Sequence, residues 1–139
     1  AGLEVRGYFM FGFPGETEDE MLETIEFSRK LPLDFATYSL LIPLPGTEDY
    51  GNCRKQGTFN DYYWKKQILS EISFPKKPLV YIPESVSEDR LLELHRLANK
   101  KFYLRPRIIL NRLLSIKDMH GVQELFKGLK TVLSGANSH

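Results

Sequence analysis

The sequence predicts an α/β fold, in which a parallel β-α-β unit precedes a helical C-terminal region. Two hydrophobic segments each end in a turn rich in proline and glycine, and a helix-capping sequence follows the first of these turns. Because a helical crossover joins parallel strands, both turns are expected at the same edge of the sheet. Ligands of α/β proteins bind at the carboxyl ends of the strands, so this edge is the predicted site.

The first strand is predicted over residues 5–11, which are nearly all apolar or aromatic. The sequence GFPGE at residues 12–16 ends the strand, because glycine and proline interrupt regular structure. Thr17 and Glu20 have the spacing of a Thr-x-x-Glu capping box, which indicates that a helix begins here.

The second strand is predicted over residues 35–42, after a break at residues 31–34 that ends the first helix. It is followed by PLPGT at residues 43–47. Thr47 is placed to cap a short helix, which Gly57 is expected to close.

The rest of the chain is predicted to be mainly helical. A short helix is expected over residues 60–72, and residues 79–82 suggest a brief strand that has no obvious partner. Ser87 begins the clearest amphipathic helix of the chain, and Pro106 restarts helical structure at the first position of another. A last amphipathic helix is predicted over residues 122–133.

The composition is that of an ordinary globular domain. Of the 139 residues, 42% are hydrophobic and 27% are charged, which excludes a disordered chain. No apolar run approaches the ~20 residues that span a bilayer, and no signal-peptide pattern is present. The single cysteine, Cys53, argues against a disulfide scaffold and predicts a cytoplasmic protein. As a lone thiol it is expected to be a structural residue.

Acidic and basic residues are distributed unevenly. Residues 1–50 carry ten acidic and three basic side chains, whereas residues 51–139 carry eight acidic and sixteen basic ones. Opposed halves of a chain pack against each other or face different partners. Solvated surface on both halves is the simpler interpretation.

The strongest basic patch is interleaved with two aromatic residues, Phe102 and Tyr103. Its members are Arg96, Lys100, Lys101, Arg105, Arg107 and Arg112. If all six side chains lay on one face, they would form a surface suited to binding nucleic acid. Their spacing along a helix, however, distributes them over several faces. A docking surface for the rest of a larger enzyme, or for an anionic substrate tail, explains the patch equally well, and nucleic acid is the less favoured partner.

Other sites are not predicted. The first turn lacks the Gly-Lys-Ser/Thr ending of a phosphate-binding loop. His95, His120 and His139 lack the spacing of metal ligands, so no metal site is predicted, and His95 is expected at a helix surface.

The two turns, GFPGET and PLPGT, together resemble the carboxyl-terminal half of a radical SAM barrel. The resemblance is strongest to the cobalamin-binding branch that includes Mg-protoporphyrin IX monomethyl ester oxidative cyclase-like proteins, and FYLRPR at residues 102–107 also matches it. It implies a partial (β/α) barrel fragment whose last β/α units occupy residues 1–58. A connecting segment at residues 59–85 and a C-terminal helical region at residues 86–139 would follow.

The resemblance also implies that S-adenosylmethionine binds at the two turns. The turn after the first strand would pack against adenine and ribose through Gly12, Phe13, Pro14, Gly15 and Glu16. The end of the second strand would present main-chain groups to the adenine edge at Leu41, Ile42, Pro43 and Leu44. The residues alone leave three roles open for Glu16. Its carboxylate accepts hydrogen bonds from ribose hydroxyls, accepts them from amides of the turn, or only interacts favourably with the dipole of the helix that follows.

A radical SAM protein holds its [4Fe–4S] cluster with three cysteines, and this chain has only one. The resemblance therefore implies the SAM-binding C-terminal portion of an oxidoreductase or methyltransferase, without catalytic or metal-binding residues and inactive alone. The cluster and cobalamin would be ligated outside the chain. The expected partners are the remainder of the barrel, an N-terminal cobalamin-binding domain and a small-molecule substrate. The alternative is a non-enzymatic interaction module whose basic helices bind a protein or nucleic acid.

Overall fold

The computed structural model of the protein describes residues 3–69 and 78–115. The elements, in chain order, are β1 (Arg6–Phe11), α1 (Glu18–Lys30), β2 (Phe35–Leu40), α2 (Glu48–Cys53), β3 (Thr58–Phe59), α3 (Asp61–Leu69), β4 (Tyr81–Ile82), α4 (Glu88–Tyr103) and α5 (Pro106–Ser115). The helix predicted over residues 122–133 lies outside the described residues.

β1 and β2 form a parallel two-stranded sheet, in which Phe11 lies opposite Leu40. The crossover is α1, which begins at the predicted capping box. The Thr17 hydroxyl accepts from the amide of Glu20, and the Glu20 carboxylate accepts from the amide of Thr17 at 2.7 Å. The predicted β-α-β unit is therefore confirmed. Both strands end at one edge, where the Leu41 amide donates to the Phe11 carbonyl at 2.8 Å.

One face of this sheet carries the core, because alternate strand residues point toward α1 and α4. The Tyr38 ring stacks with Phe9 and Phe11 at centroid distances of 5.3 and 5.8 Å, and Phe102 of α4 approaches it edge-on at 6.4 Å. The Tyr38 hydroxyl lies 2.6 Å from that of buried Ser28. Other buried core residues are Met21, Ile25, Leu91, Leu94 and Ala98. The apolar face of the amphipathic helix predicted from Ser87 onward therefore packs into the core.

The opposite face of the sheet is not covered within residues 3–69 and 78–115. Tyr8 is 74% exposed and Met10 is 43% exposed on this face. The Arg6 guanidinium lies over the ring of Phe35, 5.2 Å from its centroid. The described sheet is therefore one-sided, although most parallel sheets are covered on both faces.

Some of the acidic side chains of the first half form ion pairs with basic side chains of the second half, between α1 and α4. Arg90 pairs with Glu18 at 2.6 Å, and Lys101 pairs with Glu26 at 2.5 Å. Arg105 donates to main-chain carbonyls around the end of α1 and lies over the Phe102 ring. The interpretation as solvated surface alone is thus incomplete, because Lys101 and Arg105 of the basic patch are engaged with α1 and the residues after it.

The structure does not support a barrel fragment. Within the described residues, β1 and β2 form the only parallel pair, whereas a closed barrel needs a complete ring of such strands. β3 and β4 are two residues long and pair antiparallel in a separate sheet, with Thr58 opposite Ile82. The described residues form a mixed α/β structure without a closed barrel. β4 also has the partner strand that the sequence did not reveal.

The division at residues 58 and 85 stays a prediction, although α4 shares one core with β1, α1 and β2. None of the helices in the described ranges combines the length and apolar character needed to cross a bilayer.

Candidate functional site

Two turns lie side by side at the carboxyl edge of the parallel sheet. We call residues 12–16, which follow β1, the first turn, and residues 41–46, which follow β2, the second turn. The parallel register brings all nine predicted site residues to this edge: Gly12, Phe13, Pro14, Gly15, Glu16, Leu41, Ile42, Pro43 and Leu44. Phe13 and Leu41 also join a small hydrophobic cluster beneath the turns, together with Cys53, Phe59 and Tyr81.

The first turn is closed by its own glutamate. Oε2 of Glu16 accepts from the amide of Gly12 at 2.6 Å and from the amide of Phe13 at 3.0 Å. The Glu16 amide in turn donates to the Phe13 carbonyl at 3.0 Å. Of the roles that the sequence left open for Glu16, the structure therefore shows hydrogen bonding to the turn amides. The Gly12 and Phe13 amides already have an acceptor within the turn.

The protonation of Glu16 reflects two opposing effects. Partial burial raises its pKa above the usual range, because the charged form loses hydration. The hydrogen bonds from Phe13 and Gly12 lower the pKa, and the nearby charge of Glu20 raises it further. Burial prevails, so this carboxylate takes up a proton more readily than an ordinary glutamate.

The first turn is also supported by the segment that leads into α4. The Ser85 hydroxyl donates to the carbonyl of Glu16 at 2.5 Å. Gly12 has a φ of +85°, and a Cβ added there would lie 3.5 Å from a methyl carbon of Leu91. The C-terminal half therefore covers one side of this turn. By contrast, nothing lies within 4 Å of a Cβ added at Gly15, so the turn is open there.

The second turn is held from outside and keeps main-chain donors open. The Pro43 carbonyl accepts from the indole Nε1 of Trp64 at 2.6 Å, and the Leu44 carbonyl accepts from the Thr47 hydroxyl at 2.7 Å. Among the described residues, no acceptor takes the amide N–H of Ile42 or Leu44. The Leu44 side chain is 51% exposed. This turn thus offers main-chain donors, among them those of Ile42 and Leu44, beside an exposed apolar side chain.

Cys53 is fully buried beneath the second turn. Burial raises the pKa of its thiol to about 11, with the charge of Asp49 adding to the shift. The thiol is therefore neutral near pH 7 and is a poor nucleophile. The prediction of a structural cysteine is confirmed.

His95 does not lie at the helix surface, so that prediction is wrong. Its Nε2 is 2.9 Å from the carbonyl of Tyr38, and burial lowers its pKa. A sequence signal was available, because residue 95 falls in the helical stripe that also contains Leu91, Leu94 and Ala98. Within the described ranges, no three His, Cys, Asp or Glu side chains are grouped to hold a metal ion.

Trp64 is the site residue that sequence reasoning missed. It lies on α3, and its contact with Pro43 joins positions 21 residues apart. No local pattern signals such a contact, since it depends on how α3 packs beside the second turn.

Curated proteins similar to the chain carry methyltransferase names. An uncharacterized methyltransferase of Pyrococcus horikoshii is 30% identical over 133 residues, which are 94% of the chain and 27% of that protein. The bacteriochlorophyllide d C-12(1)-methyltransferase of Chlorobaculum tepidum is 30% identical over 77 residues, or 55% of the chain and 16% of that protein. The C-8(2)-methyltransferase for the same compound and organism is 29% identical over 66 residues, or 48% and 15%.

The chain therefore spans about a quarter of the length of the first of these relatives and less of the other two. No family model matches the chain. No solved structure matches it either.

These relatives correct the interpretation as a fragment of a cobalamin-binding, oxidative cyclase-like radical SAM protein. That interpretation rested mainly on two short turns, whereas the first relative matches almost the whole chain and is named a methyltransferase. The comparisons and the described side chains leave oxidoreductase activity, the [4Fe–4S] cluster and cobalamin without support. Of the expected cofactors, only S-adenosylmethionine, the common biological methyl donor, is in keeping with methyltransferase relatives.

Proposed function

We propose that the chain is a cofactor-binding segment of a methyltransferase, and that its two turns contact the adenosine part of S-adenosylmethionine. Similarity to a named methyltransferase over 94% of the chain carries the proposal. The parallel register supports the location, because it brings the two turns to one edge of the sheet. The non-enzymatic module is less favoured, since the relatives are named as enzymes.

The second turn has groups that suit a nucleoside. Adenine has ring nitrogens that accept hydrogen bonds and a flat apolar face. The open amides of Ile42 and Leu44 are donors of the matching kind, and the exposed Leu44 side chain offers apolar contact. When bound, S-adenosylmethionine supplies an activated methyl group; the second turn would hold and orient its adenosine part.

The first turn contributes differently under this proposal. Its amides at Gly12 and Phe13 are engaged by Glu16, so we assign it van der Waals contact along the open side at Gly15. We assign no acid–base role to Glu16, because two amides hold its carboxylate within the turn. Under this proposal, the hydrogen bonds from the main chain to adenine come from the second turn.

The methyl acceptor is part of the same proposal. Two relatives are named for bacteriochlorophyllide d, but the chain matches 16% and 15% of those proteins. We therefore propose that binding of the methyl acceptor depends on regions equivalent to the parts of the relatives that the chain does not match.

We also propose that the protein is cytoplasmic, because its single cysteine is in keeping with a reducing compartment.

The proposal can be tested by titrating the ¹⁵N-labelled chain with S-adenosylmethionine and following its amide resonances. Resonances of Ile42 and Leu44 should move most, whereas those of Gly12 and Phe13 should move little because Glu16 already binds these amides. Amide shifts report even millimolar affinities, so the measurement suits a weak site.

A matched pair of leucine variants sharpens the test. Leu44→Ala removes a side chain that is 51% exposed at the second turn, and Leu110→Ala removes one that is 55% exposed on α5. Leu44→Ala should raise the dissociation constant about threefold or more through lost apolar contact, and Leu110→Ala should leave it unchanged. Equal effects of both variants, or no response of either turn at about 10 mM ligand, would contradict the proposal.

A further inference from the structure

Trp64 is held firmly against the second turn. Its indole Nε1 donates to the Pro43 carbonyl at 2.6 Å, and its ring meets the Tyr50 ring edge-on at a centroid distance of 5.8 Å. The start of α3 is fixed as well, because Asn60 accepts from the amide of Tyr63 at 3.2 Å through its side chain. The donor that reaches Pro43 is therefore supported by both α2 and α3.

The backbone of the second turn has one main rotational freedom near this contact. The ring of Pro43 fixes its own φ. Ile42 precedes Pro43 and Leu44 precedes Pro45, which confines both residues to extended conformations. What remains is ψ of Pro43, and the hydrogen bond from Trp64 fixes the carbonyl whose direction this angle sets.

The same bond determines where the next amide points. A trans peptide group is planar, so its C=O and N–H bonds point in opposite directions. Holding the Pro43 carbonyl toward Trp64 therefore aims the Leu44 N–H away from Trp64. The described residues provide no acceptor for this amide.

We propose that Trp64 is a positioning residue, which acts through the Pro43–Leu44 peptide group to aim the Leu44 amide at the bound cofactor. The identity of the ligand rests on the proposed function, but the orientation of the amide does not. Binding is stronger when the donor is already oriented, because less conformational freedom is lost on association.

The test separates the indole N–H from the bulk of the ring. Trp64→Phe keeps an aromatic ring but removes the donor to Pro43 together with the second ring of the indole. The matched control is Tyr50→Phe, which keeps the neighbouring ring and removes a hydroxyl that accepts from Arg54 at 3.1 Å. If Trp64 merely fills space, the direction of the Leu44 amide should be the same in both variants.

In the ligand-free chain, the Leu44 amide resonance should shift in Trp64→Phe and remain in place in Tyr50→Phe. With S-adenosylmethionine, Trp64→Phe should raise the dissociation constant about fivefold, as the loss of one orienting hydrogen bond implies. The urea midpoint of unfolding should be similar in the two variants. An unmoved Leu44 amide, or equal weakening of binding in both variants, would overturn the inference.

The outcomes distinguish this inference from the proposed function. If the unaltered chain does not respond to the cofactor, the proposed function fails, while the Leu44 resonance in the ligand-free variants still decides the orienting role. If Trp64→Phe does not fold, hydrogen exchange in the unaltered chain tests the bond between Trp64 and Pro43 instead. Its indole N–H should exchange with solvent at least about tenfold more slowly than that of free tryptophan, and exchange as fast as in the free amino acid would refute the bond.

Discussion

The two turns have similar compositions, but different groups hold their main chains in place. The first turn is closed from within, since Glu16 accepts from its Gly12 and Phe13 amides. The second turn is held from outside by Trp64, and its Ile42 and Leu44 amides stay open within the described structure. Proline and glycine set the path of a turn, but the partners of its main-chain groups decide whether it can bind a ligand.

The largest effect is expected from valine at two glycines that share a φ of +85°, Gly12 in the first turn and Gly46 in the second. Both variants place a β-branched residue in a left-handed conformation, which costs about 1–3 kcal/mol. Gly12→Val should destabilise more, because its γ-carbons would also meet Leu91, whereas nothing lies within 4 Å of a Cβ at Gly46. Urea unfolding measures both losses. Equal losses would show that the contact between the first turn and α4 is unimportant.

Glu16→Gln should have an intermediate effect, with a loss of about 1 kcal/mol, because the variant must reposition the oxygen that accepts from the Gly12 and Phe13 amides. Burial raises the pKa of Glu16, so the folded chain binds this proton more tightly than the unfolded chain. The contribution of Glu16 is therefore complete only below about pH 4 and declines as the pH rises through the raised pKa. Urea unfolding should show a larger deficit of the variant at about pH 4 than at about pH 7.

The Glu16→Gln variant also tests whether the two turns respond independently. Its amide resonances should change at Gly12 and Phe13, while those of Ile42 and Leu44 stay in place. A deficit in stability that grows toward neutral pH would contradict the dominance of burial at this carboxylate.

The smallest effect is expected from Ser85→Ala, which removes one hydrogen bond of 2.5 Å to the Glu16 carbonyl. The loss should be about 0.5–1 kcal/mol, because the freed carbonyl can bond to water instead. Hydrogen exchange should become faster at the Glu16 amide and remain unchanged at the Leu44 amide. Faster exchange at both turns would mean that they are coupled.

Much of the parallel unit could be predicted because its signals are local. Residues 8–11 form a run of apolar and aromatic side chains, and Thr17 and Glu20 lie at the spacing of a capping box, so both can be recognised within a few residues. Pro106 likewise marks the first position of α5. The parallel direction of β2 then follows from the helical crossover.

The remaining features depend on partners that are distant in sequence. β3 and β4 contain two residues each, too few for an alternating pattern. Glu16 could equally have faced a ligand, and only folding of the turn shows that its carboxylate reaches the Gly12 amide. The contact between Trp64 and Pro43 requires α3 to be placed beside the turn, which no short motif encodes.

Trp64 also has a spectroscopic consequence, since it is the single tryptophan of the chain. Tryptophan emission comes from one place, beside the second turn, whereas far-ultraviolet circular dichroism is dominated by the helices. The two signals therefore follow different parts of the molecule during denaturation. Coincident transitions would mean that the edge of the sheet and the α1–α4 core unfold as one cooperative unit.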